Sequence, residues 1–167
     1  WPPWEAMRSP QPYTAVSTRA VANYTFALNH AACGPSPRGF RIVNVAIHAA
    51  CALLLYGLVR RTLALPAMRD RFGDAADRTA FLAAALWTAH PFGTAAVTYV
   101  IQRQESLMAM FYLLVLYGLL RAATDGTRLW LAVSVAACAL GMATKQVMVS
   151  APIAALLFDR AFLAGSF

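Results

Sequence analysis

Apolar and polar positions alternate along this chain in blocks too long for a soluble core. Apolar runs cover Phe40–Val59, Ala80–Ala89, Leu107–Leu120, Leu129–Thr144 and Val147–Leu163, with short polar breaks between them. The first has about 20 residues, the length of a membrane crossing. The second and third form one stretch from Ala80 to Leu120, interrupted by HPFGTAAVTYVIQRQES at 90–106. A single helix over that stretch would be about 60 Å long at 1.5 Å per residue, twice the thickness of a bilayer's hydrocarbon core. The chain must therefore cross, turn and cross back. His90-Pro91 marks the turn, because proline removes a backbone donor and clashes with the preceding helical turn. Residues 95–102 either finish that crossing or form a short re-entrant piece, and the next helix starts near Gln104. The pattern predicts an all-α, polytopic transmembrane bundle of about five crossings over residues 41–167. An extracytoplasmic interfacial segment, residues 1–40, precedes it.

That first segment is rich in proline and aromatic residues. Trp1, Trp4, Tyr13 and Tyr24 suit the headgroup zone, and Ser17 is placed to cap a short helix from Thr18 to Ala32. The sequence GPSPRG then breaks the helix. Within the first crossing Asn44 and His48 lie one turn apart and share a face. Arg60 and Arg61 end this crossing. Residues 62–79 read as a polar loop and Arg121–Arg128 as a tight one.

Composition agrees with the pattern: 60% of the 167 residues are hydrophobic and 13% charged, against about 25% charge in a soluble domain. The net charge of +7 comes from thirteen arginines and one lysine against seven acids. These charges sit in loops and form no stripe, which points to topology and away from nucleic acid. The positive-inside rule puts 60–79, 121–128 and the C-terminus in the cytoplasm. The N-terminal segment, the 90–105 turn and Lys145 then face outside, so the unusual polar residues gather on one face of the membrane. The three cysteines show no metal or redox spacing and are expected to be unpaired. There is no phosphate loop, nucleophile elbow or zinc pattern. The chain has no initiator methionine and is expected to be a piece of a larger protein.

One stretch runs from Arg19-Ala20-Val21 through Asn29-His30 and Gly39–Asn44 to His48, and two others are HPFGTAAVTYVIQRQESLMAMFYLL and LGMATKQVMVSAPIAALLFD. These resemble the transmembrane and tetratricopeptide-repeat O-mannosyltransferases and their bacterial relatives, and together the similarity covers nearly the whole chain. The resemblance implies a GT-C class membrane glycosyltransferase. Such an enzyme takes a sugar, typically mannose, from a polyprenyl-phosphate carrier and gives it to a protein hydroxyl on the extracytoplasmic side. It implies a lipid-linked donor and a protein acceptor as partners, with no cofactor. It also implies a multi-pass location, here the bacterial inner membrane. The sequence departs from the family pattern in four places. The family's acidic pair, its expected general base, is absent, Glu5 being the only acid before Asp70. Ala20 replaces a proline, Gln146 replaces a glutamate, and no tetratricopeptide repeats follow.

The candidate carrier- and substrate-binding residues are Arg103, Lys145, His90, Arg19 and Glu105, and no metal ligands are assigned. Arg103 either offers a planar fork to a phosphate or snorkels to the interface and pairs with Glu105. Lys145 either neutralises phosphate or flanks a helix end. His90 contacts the sugar or carrier, or caps the kinked helix. Arg19 holds phosphate or pins the interfacial helix. Glu105 positions a hydroxyl or partners an arginine. Asn44 and His48 are expected to hydrogen-bond a neighbouring helix. Two other readings stay open: a non-catalytic anchor or scaffold without the acidic motif, and a transporter built on the broken helix.

Overall fold

The computed structural model describes residues 19–91 and 93–164. Ser17 and the aromatic residues Trp1, Trp4 and Tyr13 lie outside them. Eight α-helices follow one another: α1 Ala20–Cys33, α2 Pro37–Leu63, α3 Pro66–Phe72, α4 Ala76–Ala89, α5 Gly93–Thr98, α6 Arg103–Asp125, α7 Arg128–Met142 and α8 Ala151–Phe158. Short 3-10 turns precede α4, α6 and α8, and a π turn, Asp159–Leu163, extends α8. No strand occurs among the described residues.

All five apolar runs are helical. Pro37–Leu63, Val100–Asp125 and Gln146–Leu163 are each long and apolar enough to cross a membrane, and Arg128–Met142 is a shorter apolar helix. Helix α4, with 14 residues, is about 21 Å long. Outward-facing residues such as Leu53, Leu86 and Leu129 are about 70% exposed, as lipid-facing side chains would be. This is a helical membrane protein.

Two expected loops are shorter than the sequence suggested. The 62–79 segment contains α3, which Pro66 starts as a proline suited to a first helical position. Helix α6 runs on to Asp125, because Arg121 Nε pairs with Asp125 one turn later at 2.5 Å. It stops at Gly126, whose φ of 67° is the left-handed conformation of a helix end. Only Gly126-Thr127 then link α6 to α7.

Helix α6 is the central post and packs against α2, α7 and α8. Leu107, Phe111 and Val115 of α6 form the core with Ala137, Met148 and Ala151. Small residues set the spacing. Ala80 and Ala84 are buried where α4 meets α2, and a Cβ on Gly118 would lie 3.0 Å from the Trp130 carbonyl of α7. Ser134 Oγ donates to the Val115 carbonyl at 2.9 Å across that contact. Such close approach of small residues is how helices associate where no water drives them together.

Candidate functional site

The chain direction brings one end of α2, α4, α6, α7 and α8 together, and α1 lies across it. Proline is again the local cause. His90 precedes Pro91 and is held extended (φ −64°, ψ 131°), which ends α4. The short α5, an extended Tyr99 and a 3-10 turn carry the chain over to α6. Asn44 pins this link to α2, its Nδ2 donating to the Tyr99 carbonyl at 3.3 Å.

Arg103 opens α6 and is fully buried. Its Nε donates to Asn44 Oδ1 at 2.8 Å and Nη1 to the Thr25 carbonyl at 3.2 Å. Nη2 donates to Asn29 Oδ1 at 2.6 Å and to the Phe40 carbonyl at 3.0 Å. The guanidinium also lies 4.7 Å and 5.4 Å from the ring centroids of Phe26 and Phe40. Four of the five donors an arginine carries are thus spent inside the protein. The fork expected to meet a phosphate or Glu105 is turned inward. It ties α1, α2 and α6 together, and no carboxylate among the described residues pairs with it.

The other four candidates lie nearer the surface. Lys145 Nζ donates to Glu105 Oε1 in a half-buried ion pair that joins the α7–α8 turn to the first turn of α6. Arg19 donates to Gln104 Oε1, and the Val21 amide donates to the Ala143 carbonyl at 3.1 Å, so α1 is docked on the same end. His90 and Glu105 line a cavity of about 320 Å³ together with His48, Trp87, Gly93 and Ser106. His48 Nε2 lies 3.3 Å from the Thr88 carbonyl, and its ring stacks on Trp87 at 4.8 Å and 21°. The expected pairing of Asn44 and His48 with neighbouring segments is therefore present in both cases.

Charge divides between the two ends. At the cavity end the described residues carry Arg19, Arg38, Arg41, Arg103 and Lys145 against Glu105 alone. The described aspartates, Asp70, Asp74, Asp77, Asp125 and Asp159, belong to the opposite end. Among the described residues no group of three His, Cys, Asp or Glu could hold a metal ion. Chemically, this end can hold an anion, place one carboxylate beside it and read hydroxyl groups with two imidazoles and an indole.

Sequence reasoning did not find Thr25, Phe26, Asn29 and Phe40 as the cradle of Arg103, nor Trp87 and Gly93 as cavity walls. The only available sign for Trp87 was its place in the last turn before the kink.

Residues 18–166 match a family model described as dolichyl-phosphate-mannose-protein mannosyltransferase. Protein O-mannosyl-transferase TMTC4 of Homo sapiens is 28% identical over 145 residues, covering 78% of this chain and 19% of its own length. Protein O-mannosyl-transferase F38B6.6 of Caenorhabditis elegans is 34% identical over 97 residues, 58% of this chain and 13% of its own. Protein O-mannosyl-transferase Tmtc1 of Drosophila melanogaster is 37% identical over 98 residues, 59% of this chain and 10% of its own. The chain thus spans about a fifth or less of the length of these relatives. No solved structure matches it. The match over almost every residue makes this chain a member of the dolichyl-phosphate-mannose-protein mannosyltransferase family.

Proposed function

We propose that the chain supplies part of the active site of a membrane glycosyltransferase in protein O-mannosylation. The donor is a mannosyl group on a polyprenyl phosphate, the acceptor a protein hydroxyl, and the cavity end faces the extracytoplasmic side of a bacterial inner membrane. The observation that carries the reading is the excess of cations over the single carboxylate Glu105 at the end of the bundle that holds a small, mostly apolar cavity with His48, His90, Glu105 and Ser106 in its wall. In the transfer, the acceptor oxygen forms a bond to the sugar's anomeric carbon as the bond from that carbon to the phosphate oxygen breaks. The leaving phosphate gains charge, and fixed cations stabilise it. Lys145 suits that role, since an ammonium has three donors and Glu105 takes one. Arg19, bonded to a neutral amide, adds a second cation. His90 and Glu105 flank the sugar, and Arg103 fixes the start of α6 that carries Glu105. With Glu105 held by Lys145, the base that takes the hydroxyl proton is a carboxylate from outside this chain.

The test is transfer of radiolabelled mannose from a polyprenyl phosphate to protein, using the full-length protein in membranes. Lys145→Ala is expected to lower the rate about a hundredfold, the usual effect of removing one group that stabilises developing charge. An unchanged rate would remove Lys145 from the site. A folded wild-type protein that transfers from no carrier would leave the scaffold reading in its place.

Sidedness has its own test in a native residue. Cys33 is exposed at the end of α1, whereas Cys51 is buried. A membrane-impermeant maleimide added to intact cells is expected to label the wild type and not Cys33→Ser. Labelling that requires permeabilised cells would reverse the orientation.

A further inference from the structure

His48 lines the cavity with its ring held on two sides. Trp87 covers one face of it, and a Cβ on Gly93 would come within 3.3 Å of its Cε1, so the backbone of α5 closes another side. The Thr88 carbonyl beside Nε2 can only accept, which puts the ring proton on Nε2. In the neutral ring Nδ1 is then a bare acceptor, the nitrogen that remains for a cavity ligand. Among the described residues none takes that position. The cavity, about 320 Å³, lies at the small end of ligand pockets, which run from about 300 to 1,000 Å³. That size suits one hexose ring.

We infer that His48 reads one hydroxyl of the transferred sugar, accepting its hydrogen bond at Nδ1. This rests on the transferase reading above and adds a residue that selects the sugar. The acceptor is held in place before binding, so a sugar lacking the hydroxyl loses the bond and leaves the site otherwise unchanged.

His48→Gln discriminates this from a structural role, because the Gln amide N–H can still reach the Thr88 carbonyl while its one acceptor, Oε1, sits one atom further out than Nδ1 and leaves that position to a methylene. The experiment measures KM and kcat of the full-length protein for polyprenyl-phosphate mannose and its monodeoxy analogues, with a thermal melt of each variant. For wild type, one deoxy donor is expected to show a KM about tenfold higher than the parent. His48→Gln should raise KM for the parent by about the same factor and leave KM for that deoxy donor unchanged. Should His48→Gln fail to melt cooperatively, Gly93→Ala, whose Cβ would press on the ring at 3.3 Å from Cε1, takes its place and is expected to show a smaller loss of the same selective kind. A variant that matches wild type on every donor, or loses equally on all of them, overturns the assignment to His48 alone. A wild-type protein that transfers from no donor overturns the transferase reading itself.

Discussion

Arg103→Met is expected to destabilise the full-length protein by about 3–5 kcal/mol, the cost of leaving two or more buried acceptors without their donor. Interhelical hydrogen bonds in membranes average only about 0.6 kcal/mol, so one lost bond would not reach that figure. Arg103 differs because a single buried cation makes four bonds to α1 and α2 and lies near two aromatic faces. Its loss leaves Asn29 Oδ1 and Asn44 Oδ1 facing an apolar side chain, each costing about 1–3 kcal/mol if it stays unpaired. Arg103→Lys should recover little, since an ammonium on a flexible stem cannot span acceptors placed for a planar fork. A thermal melt in detergent or nanodiscs, paired with carrier binding, checks the claim. The expected result is a melt lowered by a few degrees for Met, with Lys close behind. An unchanged melt with lost carrier binding would overturn the scaffolding role and give Arg103 back to the phosphate.

The contrast between Arg103 and His48 shows how far the sequence could be read. Asn44 and His48 announced a shared inner face through their spacing, and the structure uses both. The break at His90-Pro91 was equally plain, because it rests on the covalent chemistry of proline. The helical parts of the 62–79 and 121–128 segments read as loops, although signs were present: Pro66 stands where a helix begins, and Arg121 and Asp125 are one turn apart. Arg103 was a different case. Its neighbours in sequence are polar, and a charged residue at a helix end ordinarily faces the membrane interface. Its partners Thr25, Asn29 and Phe40 lie more than 60 residues earlier, and nothing local distinguishes a snorkelling arginine from a caged one. The same holds for the cavity, whose walls come from α2, α4, α5 and α6. Periodicity assigns each helix a face, while the identity of the residue across from it is set by packing.

The second large effect lies where α6 and α7 come closest. Gly118→Leu is expected to cost about 3 kcal/mol, at the upper end for forcing a side chain into a packed core. A Cβ there would lie 3.0 Å from the Trp130 carbonyl, 3.2 Å from the Ser134 nitrogen and 3.1 Å from Ser134 Cβ. Two of these are backbone atoms of α7, which can yield only if the whole helix moves. Moving it breaks the Ser134–Val115 bond and shifts the α7–α8 turn, which carries Lys145 away from Glu105. Stability and transfer should therefore fall together, unlike Lys145→Ala, where transfer falls and the melt holds. Gly57→Ala is the control. Its Cβ would come 3.0 Å from the Tyr117 ring, a side chain that can turn aside, so a cost of about 1 kcal/mol is expected. Equal, small effects at both glycines would mean that α7 is free to slide on α6. The close contact could then not be what holds Lys145 against Glu105.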